Sequence, residues 1–235
     1  MIADERAALA LAAFSSALAP IFRGRLCEIL LTTRGARIFE RHAIIYDLGE
    51  TDRSLFFIRQ GLVKTGTITE EGREIIYDVR RDGDVVGELC ALDRPRRDRA
   101  VAIDTTAAIA IKFQEVIGTL AGNSGLLTNF IVSLGGVLAD AYDQLNHVAR
   151  GDVTHGVVAV LQTLARKLGR PRGSLVEINA YLTQEELAQM VAARRERVST
   201  ALNTLRRDRA IMYSDDGHLL LDLAALNRYL PSGTQ

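Results

Sequence analysis

The stretch Leu182 to Leu202, LTQEELAQMVAARRERVSTAL, is the part of the chain that admits the fewest folds. Thr183 is a helix-capping residue type, and Glu186 three positions later completes a capping-box pattern, so a helix begins there. Leu187, Met190 and Val191 give that helix one apolar face. The small pair Ala192-Ala193 lets a turn pass close against it, and Val198 and Leu202, at i and i+4, give a second helix its own buried face. The pattern is that of a helix-turn-helix whose second helix reads DNA. Arg194, Arg195, Glu196, Ser199 and Thr200 stand near the start of that helix, where side chains meet base edges and phosphates, and Thr183 and Gln184 open the first. Taken alone, the same stretch also reads as an ordinary amphipathic helix pair with a solvated charged face.

The charge distribution favours the first reading. The 235-residue chain carries 29 Lys+Arg and 29 Asp+Glu, so no whole-molecule field draws in a polyanion. Between Arg166 and Arg209 the basic residues outnumber the acidic ones by about five, which suits a DNA-binding module on a neutral carrier. No apolar run approaches the roughly 18 residues needed to span a bilayer. Asp4 and Glu5 stand where a secretory signal would carry positive charge, so a cytoplasmic protein with no membrane partner is expected. The two cysteines, Cys27 and Cys90, are too few for a four-thiolate iron–sulfur cluster or zinc site within one chain. His42, His147, His155 and His218 lack metal-ligand spacing, so no metal site is expected. The chain also lacks a nucleophile elbow, a P-loop and a His-Glu-x-x-His motif, which argues against an enzyme.

The texture of the chain changes along its length. A helical region with a break near Pro20 is read from about Ala8 to Leu31. Between Arg37 and Ile111 come short strands: Ile38-Phe39, Ile44–Tyr46, Leu55–Ile58, Leu62–Ile68, Glu74–Val79, Val85-Val86, Ala100–Ile103 and Ala108–Ile111. Turns containing Gly49, Gly61, Gly72 and Gly83 punctuate them, each glycine tolerating a positive φ. Regular short strands of this kind argue for a small antiparallel barrel or jelly roll. From Leu127 the period becomes a heptad, with Leu127, Ile131, Leu134, Leu138, Ala141, Leu145 and Val148 at alternating steps of four and three. Such a seam needs a partner, and the simplest is the same helix in a second copy, the alternative being packing on the chain's own strands. Gly135-Gly136 within it costs about 1 kcal/mol per glycine relative to alanine. Asp152 caps a further helix from Val153 to Leu168, the segment Gly169–Ser174 reads as a loop, and Tyr213–His218 followed by Leu219–Leu221 reads as a hairpin wing. The result is an α+β chain in three parts: a sensor domain over 1–122, a dimerisation helix over 123–150 and a winged helix-turn-helix over 151–235.

In this order of parts, the chain resembles the CRP/FNR family of bacterial transcription regulators. The strings that carry the resemblance are Leu55–Lys64 and Glu71–Glu74 in the strand region, Asp82–Leu89 through Pro95-Arg96, and Asp152–Thr154. The resemblance implies a cyclic-nucleotide-binding-like domain, a homodimer on a palindromic promoter site, and RNA polymerase as a partner. Arg195 and Glu196 match the family's guanine- and cytosine-reading positions, while Thr200 stands where an arginine is common.

The resemblance also frames the effector question. In members that bind a cyclic nucleotide, a glycine-glutamate-leucine turn offers N–H groups to the phosphate and the glutamate accepts from the ribose. A later arginine neutralises the phosphate, and a neighbouring serine or threonine adds a hydrogen bond. Gly87, Glu88, Leu89 and Arg96 match this scheme by residue type. The loop is one residue short, however, Arg97 replaces the serine, and Asp98 and Arg99 follow where small residues are usual. The base-contacting positions fall on Val137, Ala141 and Tyr142, of which only Tyr142 offers a polar group. A cyclic nucleotide is therefore a doubtful effector, and a different effector or none is favoured. Cys90, beside the cassette, reads either as a redox-sensitive thiol near arginines or as a packed core cysteine, the commoner fate of that residue. The overall expectation is a homodimeric, sequence-specific DNA-binding regulator. The alternatives are a cyclic-AMP-dependent regulator and, less well supported by the exposed Arg-Arg-Glu-Arg, a cyclic-nucleotide-sensing regulatory subunit.

Overall fold

The structure is a computed structural model that describes residues 34–92, 94–149, 152–178 and 182–230. The helical region expected from Ala8 to Leu31, and Cys27 with it, lies outside the described residues. Contacts divide the chain into two compact units, one running to Ala141 and the other beginning at Tyr142.

Among its described residues the first unit contains eight strands, all paired antiparallel: β1 (Arg37–Phe39), β2 (Ile44–Tyr46), β3 (Ser54–Gln60), β4 (Leu62–Ile68), β5 (Glu74–Arg81), β6 (Val85–Val86), β7 (Arg99–Ala102) and β8 (Thr106–Lys112). They form two four-stranded sheets, ordered β1-β8-β3-β6 and β2-β7-β4-β5. The expected strands are thus present in their expected places, but the sheets do not close into a barrel. Closure requires hydrogen bonding around the whole circumference in a consistent stagger. Here three of the four outer strands, β1, β2 and β6, span only two or three residues each, and beyond β6 the chain turns away at Gly87, whose φ is +93°.

Alternation along β3 and β8 creates two cores. Phe56, Ile58 and Ala108 join Phe39, Ile45, Tyr46, Val63, Val86, Ala100 and Ala102 in one cluster. Leu55, Ile109 and Ile111 point the other way and pack with Val85, Cys90 and the helices α1 (Phe113–Ala121) and α2 (Ser124–Ala149) through Val116, Leu120 and Phe130. A period of two is what places neighbours on opposite faces. Gly61, between β3 and β4, has φ +106°, and a Cβ there would sit 2.5 Å from Thr106 Oγ1 and 2.8 Å from the Thr105 carbonyl oxygen. Gly61→Ala is expected to destabilise this unit by about 1–3 kcal/mol, read as a lower urea midpoint at an unchanged slope.

Helix α2 covers the expected heptad. Leu127, Ile131, Leu138 and Leu145 are 41 to 64 % exposed, and Ala141 is exposed as well. Leu134 departs from the seam: it is half-buried and packs against the Cys90 core, following Phe130. The exposed apolar line instead continues through Tyr142, which is 58 % exposed. Phe130 and Leu134 are one turn apart on the same side of the helix, so the core that buries Phe130 also draws in Leu134. Of Val148 only the helical backbone is described. The stretch Ser124–Tyr142, 19 residues with mean hydropathy 1.3, is long and apolar enough to cross a membrane, contrary to the sequence expectation. Counting unbroken apolar runs missed it because Ser124, Thr128, Asn129, Ser133 and Asp140 interrupt the run while barely lowering the average.

In the second unit Asp152 caps α3 (Val153–Leu168), its side chain accepting from the N–H groups of Thr154 and His155. The expected loop after it is a hairpin: β9 (Gly169–Arg172) pairs with β10 (Leu175–Ile178) around Gly173. Pro171 disguised the strand, but β9 is an edge, where a missing N–H donor costs nothing. Then come α4 (Gln184–Met190), α5 (Arg195–Arg207), the wing strands β11 (Ile211–Tyr213) and β12 (Leu219–Leu221), and α6 (Leu223–Asn227). The four strands form one sheet, β11-β12-β10-β9.

Candidate nucleic-acid interface and effector pocket

Local chemistry fixes where α4 starts. The Thr183 hydroxyl accepts from the Glu186 N–H at 3.1 Å, and the Glu186 carboxylate accepts from the Thr183 N–H at 2.9 Å, so both halves of the capping box are formed. A cap of this kind is worth about 1 kcal/mol. Leu187 and Met190 are buried, and the chain then turns through Ala192, whose φ of +50° tolerates only a small side chain well. Arg194 is the N-cap of α5, and that helix buries Val198, Ala201, Leu202 and Leu205. Each large aliphatic among them contributes about 1.5–3 kcal/mol by leaving water. Burying that face decides what the opposite face presents.

Arg194, Arg195 and Glu196 are exposed in the first turn of α5, Thr200 is exposed one turn later, and Ser199 is half-buried beside it. The Thr200 hydroxyl donates to the Glu196 carbonyl at 2.9 Å, which leaves its lone pairs to accept. On α4, Thr183 is exposed, while Gln184 is half-buried and lines a small apolar cavity with Leu161, Leu187, Leu202 and Tyr213. Sequence reasoning passed over Arg197 and Asn203, both exposed on α5, and over Arg206, whose guanidinium lies 5.0 Å from the Tyr213 ring centroid on the wing. Arg197 was legible in the Arg-Arg-Glu-Arg run; the Arg206–Tyr213 pair depends on how the wing folds back. An arginine at the N-cap and two in the first turn, against the one carboxylate of Glu196, add their charge to the positive end of the helix, an arrangement that attracts phosphate.

The expected effector residues divide into two groups. Gly87, Glu88 and Arg96 come together around the short 3-10 turn Glu88–Ala91. Leu89 and Arg97 are exposed, and Tyr142 belongs to the other unit. The gathered groups are occupied by the chain itself. Arg96 is 4 % exposed and donates from Nη2 to the Ser54 carbonyl at 2.6 Å and from Nη1 to the Gly87 carbonyl at 3.4 Å. Its guanidinium lies 4.0 Å from the Tyr46 ring centroid. The Tyr46 hydroxyl donates to Asp98 Oδ2 at 2.6 Å.

Glu88 is paired with buried Arg80 at 3.2 Å, and Arg80 also meets Asp78 at 2.8 Å. Burial works against the Arg80 charge, but Asp78, Glu88 and Asp84 overcome it and raise its pKa. Burial likewise raises the pKa of Glu88, against the pull of Arg80, and that of Asp98, against the Tyr46 hydrogen bond and the Arg96 charge. Tyr46 and the carbonyl of Ser54 were not legible as site groups, because they come from strands distant in sequence, while Arg80 and Asp78 lie within ten residues of Glu88 and meet it only through the fold of β5 against the turn.

Cys90 is 2 % exposed in a core cluster, and burial pushes its thiol up to about 11, the nearby Arg96 and Arg53 notwithstanding. It behaves as a packed core cysteine rather than a reactive one. Among the described residues no group of three or more His, Cys, Asp and Glu side chains could hold a metal ion.

Residues 36–123 match the family described as cyclic nucleotide-binding domain, and residues 157–229 match the Crp-like helix-turn-helix domain. The chain is 30% identical over 165 residues to the CRP-like cAMP-activated global transcriptional regulator of Mycobacterium tuberculosis, covering 70% of this chain and 74% of that protein. It is 26% identical over 202 residues to the anaerobic regulatory protein of Bacillus subtilis, covering 83% of each. Among solved structures, FixK2 from Bradyrhizobium japonicum has a TM-score of 0.74 at 18% identity, covering 86% of this chain and 99% of that one. A CooA variant from Carboxydothermus hydrogenoformans also gives 0.74 at 18% identity, with 92% and 96% covered.

Proposed function

This chain belongs to the CRP/FNR family of transcription regulators, with a cyclic-nucleotide-binding domain and a DNA-binding helix-turn-helix, and from that premise we propose that it acts in the cytoplasm as a homodimer on a palindromic promoter site and needs no cyclic AMP to bind there. The observation that carries the DNA-binding half is the exposed Arg194-Arg195-Glu196 turn on a helix whose other face is locked into a core. Bidentate arginine to guanine and glutamate to cytosine are the pairings that major-groove geometry favours. Thr200 replaces the arginine common in the family, so the half-site departs from the usual consensus at one base pair. RNA polymerase is the partner through which such a regulator acts on transcription.

The dimer is supported by the exposed apolar line on α2. Leu127, Ile131, Leu138 and Leu145 present to water a face that has no use on a lone chain. A second copy of the same helix covers it by the ordinary coiled-coil rule. This also accounts for the apolarity of Ser124–Tyr142 without a bilayer.

Independence from cyclic AMP is supported by the state of Glu88, which is paired with Arg80, and of Arg96, whose two Nη groups already donate to main-chain carbonyls while its buried Nε has no partner among the described residues. A nucleotide would have to break those hydrogen bonds before making its own, and each charge-assisted one is worth about 1.5–3 kcal/mol. Breaking two or three turns micromolar affinity into millimolar. The Mycobacterium tuberculosis relative, described as cAMP-activated, favours the opposite reading, in which cyclic AMP switches this chain as well. Titration calorimetry with cyclic AMP, run beside an operator-binding assay with and without it, separates the two. The expected result is no saturable heat at micromolar nucleotide and unchanged operator affinity. Low-micromolar binding that raises operator affinity about tenfold, which is about 1.4 kcal/mol, would establish the cyclic-AMP-dependent reading instead.

A further inference from the structure

We propose that the N-terminal domain contains an internal receptor for a guanidinium ion, built from the rings of Tyr46 and Phe56 and the carbonyls of Ser54 and Gly87, with Asp98 holding the Tyr46 hydroxyl, and that Arg96 of the same chain fills it as a tethered ligand, closing the pocket to anions. The inference rests on the reading of this domain as one that does not answer to cyclic AMP, and it names what occupies the pocket.

A cation that leaves water needs oxygen acceptors, a ring face or a carboxylate in exchange. Arg96 has the first two directly, and the third one ring away. Nη1 and Nη2 donate to main-chain carbonyls of Gly87 and Ser54. The guanidinium carbon stands 4.0 Å from the Tyr46 centroid and 6.0 Å from that of Phe56, and those two rings stack 5.6 Å apart. Asp98, 5 % exposed, holds the Tyr46 hydroxyl and lies close enough for Arg96 to lower its pKa, although burial raises it further. The backbone of Arg96 is pinned as well: its N–H donates to the Glu50 carbonyl and its carbonyl accepts from Gly49, both at 2.9 Å. Gly87 makes the fit achievable, since a Cβ there would stand 3.1 Å from Arg96 Nη1 and 3.0 Å from the Ser54 carbonyl oxygen.

A receptor for a phosphate would be built the other way round. It would aim guanidinium donors into open space and keep carboxylates away. Here both Nη groups of Arg96 donate to carbonyls and only Nε lacks a partner among the described residues, Asp98 holds the Tyr46 hydroxyl, and Glu88 is bound to Arg80. An arriving anion meets the carboxylates of Asp98 and Glu88 and an arginine whose Nη groups are already engaged. The chemical class that fits this box is a planar cation, and the chain supplies its own.

The test is chemical rescue. Arg96→Ala in the full-length protein should lower the thermal midpoint by about 5 °C or more, the shift expected when one well-made buried interaction is removed. Millimolar methylguanidinium should restore at least about half of that, because a ligand bound only by the folded state stabilises it by mass action. Urea, the neutral isostere, should not, and methylguanidinium should leave the wild-type protein unmoved because its site is full. Adding Tyr46→Leu to Arg96→Ala should abolish the rescue. If the alanine variant does not fold, refolding yield with and without methylguanidinium reads the same quantity, and no recovery there overturns the proposal. An unchanged midpoint in Arg96→Ala also overturns it, as does stabilisation of the wild-type protein by inorganic phosphate or cyclic AMP that vanishes in Arg96→Ala. Rescue that fails while operator binding stays nucleotide-free removes the internal ligand alone. Operator binding that requires cyclic AMP, with rescue intact, removes the effector-independent reading alone.

Discussion

Leu138→Asp is expected to convert the regulator to a monomer and to abolish binding to its palindromic site. Leu138 is 52 % exposed on α2, so an aspartate there is solvated in the separate chain and leaves that chain's fold intact. In a dimer seamed along α2, both copies would bury an unpaired carboxylate, costing about 3 kcal/mol or more and weakening association by more than about a hundredfold. Leu134→Asp is the poorer test because Leu134 packs against the Cys90 core and its replacement would damage the sensor domain as well. Sedimentation velocity across a range of concentrations reads the association state. A two-fold reader needs half-sites about 34 Å apart, so operator affinity should collapse in step. A variant that sediments as a dimer and binds its operator normally would move the interface off this helix.

Arg195→Ala is expected to cost about 1–3 kcal/mol of operator binding and to relax discrimination at one base pair. Arg195 is exposed in the first turn of α5, whose buried residues Val198, Leu202 and Leu205 hold the helix independently of it. The substitution should therefore leave the unfolding free energy within about 0.5 kcal/mol of wild type. Fluorescence anisotropy at fixed salt, against the operator and its single-base variants, distinguishes readout from electrostatics. Removing a phosphate partner weakens all sequences alike and flattens the salt slope, whereas removing a base partner weakens the cognate sequence selectively. Wild-type affinity and preference in the variant would show that α5 is not the reading helix.

The cap at Thr183, the buried face of α4 and α5, the cap at Asp152 and the positions of the sensor strands were all legible in the residues themselves. Each is a local matter: capping depends on residues three apart, and burial on a period of two or 3.6. The errors are equally physical. Pro171 made a strand resemble a loop because its missing donor matters only where a neighbouring strand lies on that side. The heptad count assigned Leu134 to the same seam as Leu138, but which side of α2 faces the sheets depends on Phe130 and Leu134 meeting Leu55, Ile109 and Ile111 from other elements. The antiparallel architecture followed from turn spacing, whereas closure into a barrel depended on edge strands too short to pair around the circumference.

Short-range patterns along the chain were therefore enough for the order of the parts, the helix-turn-helix and the residue types around the turn at Gly87–Leu89. Which protein groups meet those residues was decided by the packing of other strands. Gly87, Glu88 and Arg96 match an anion site as letters, but Tyr46 from β2, Ser54 from β3 and Arg80 from β5 converge on them from across the two sheets. Hydrogen bonds and charges act over a few ångströms irrespective of sequence separation. The occupancy of that pocket was accordingly set when the two sheets came together.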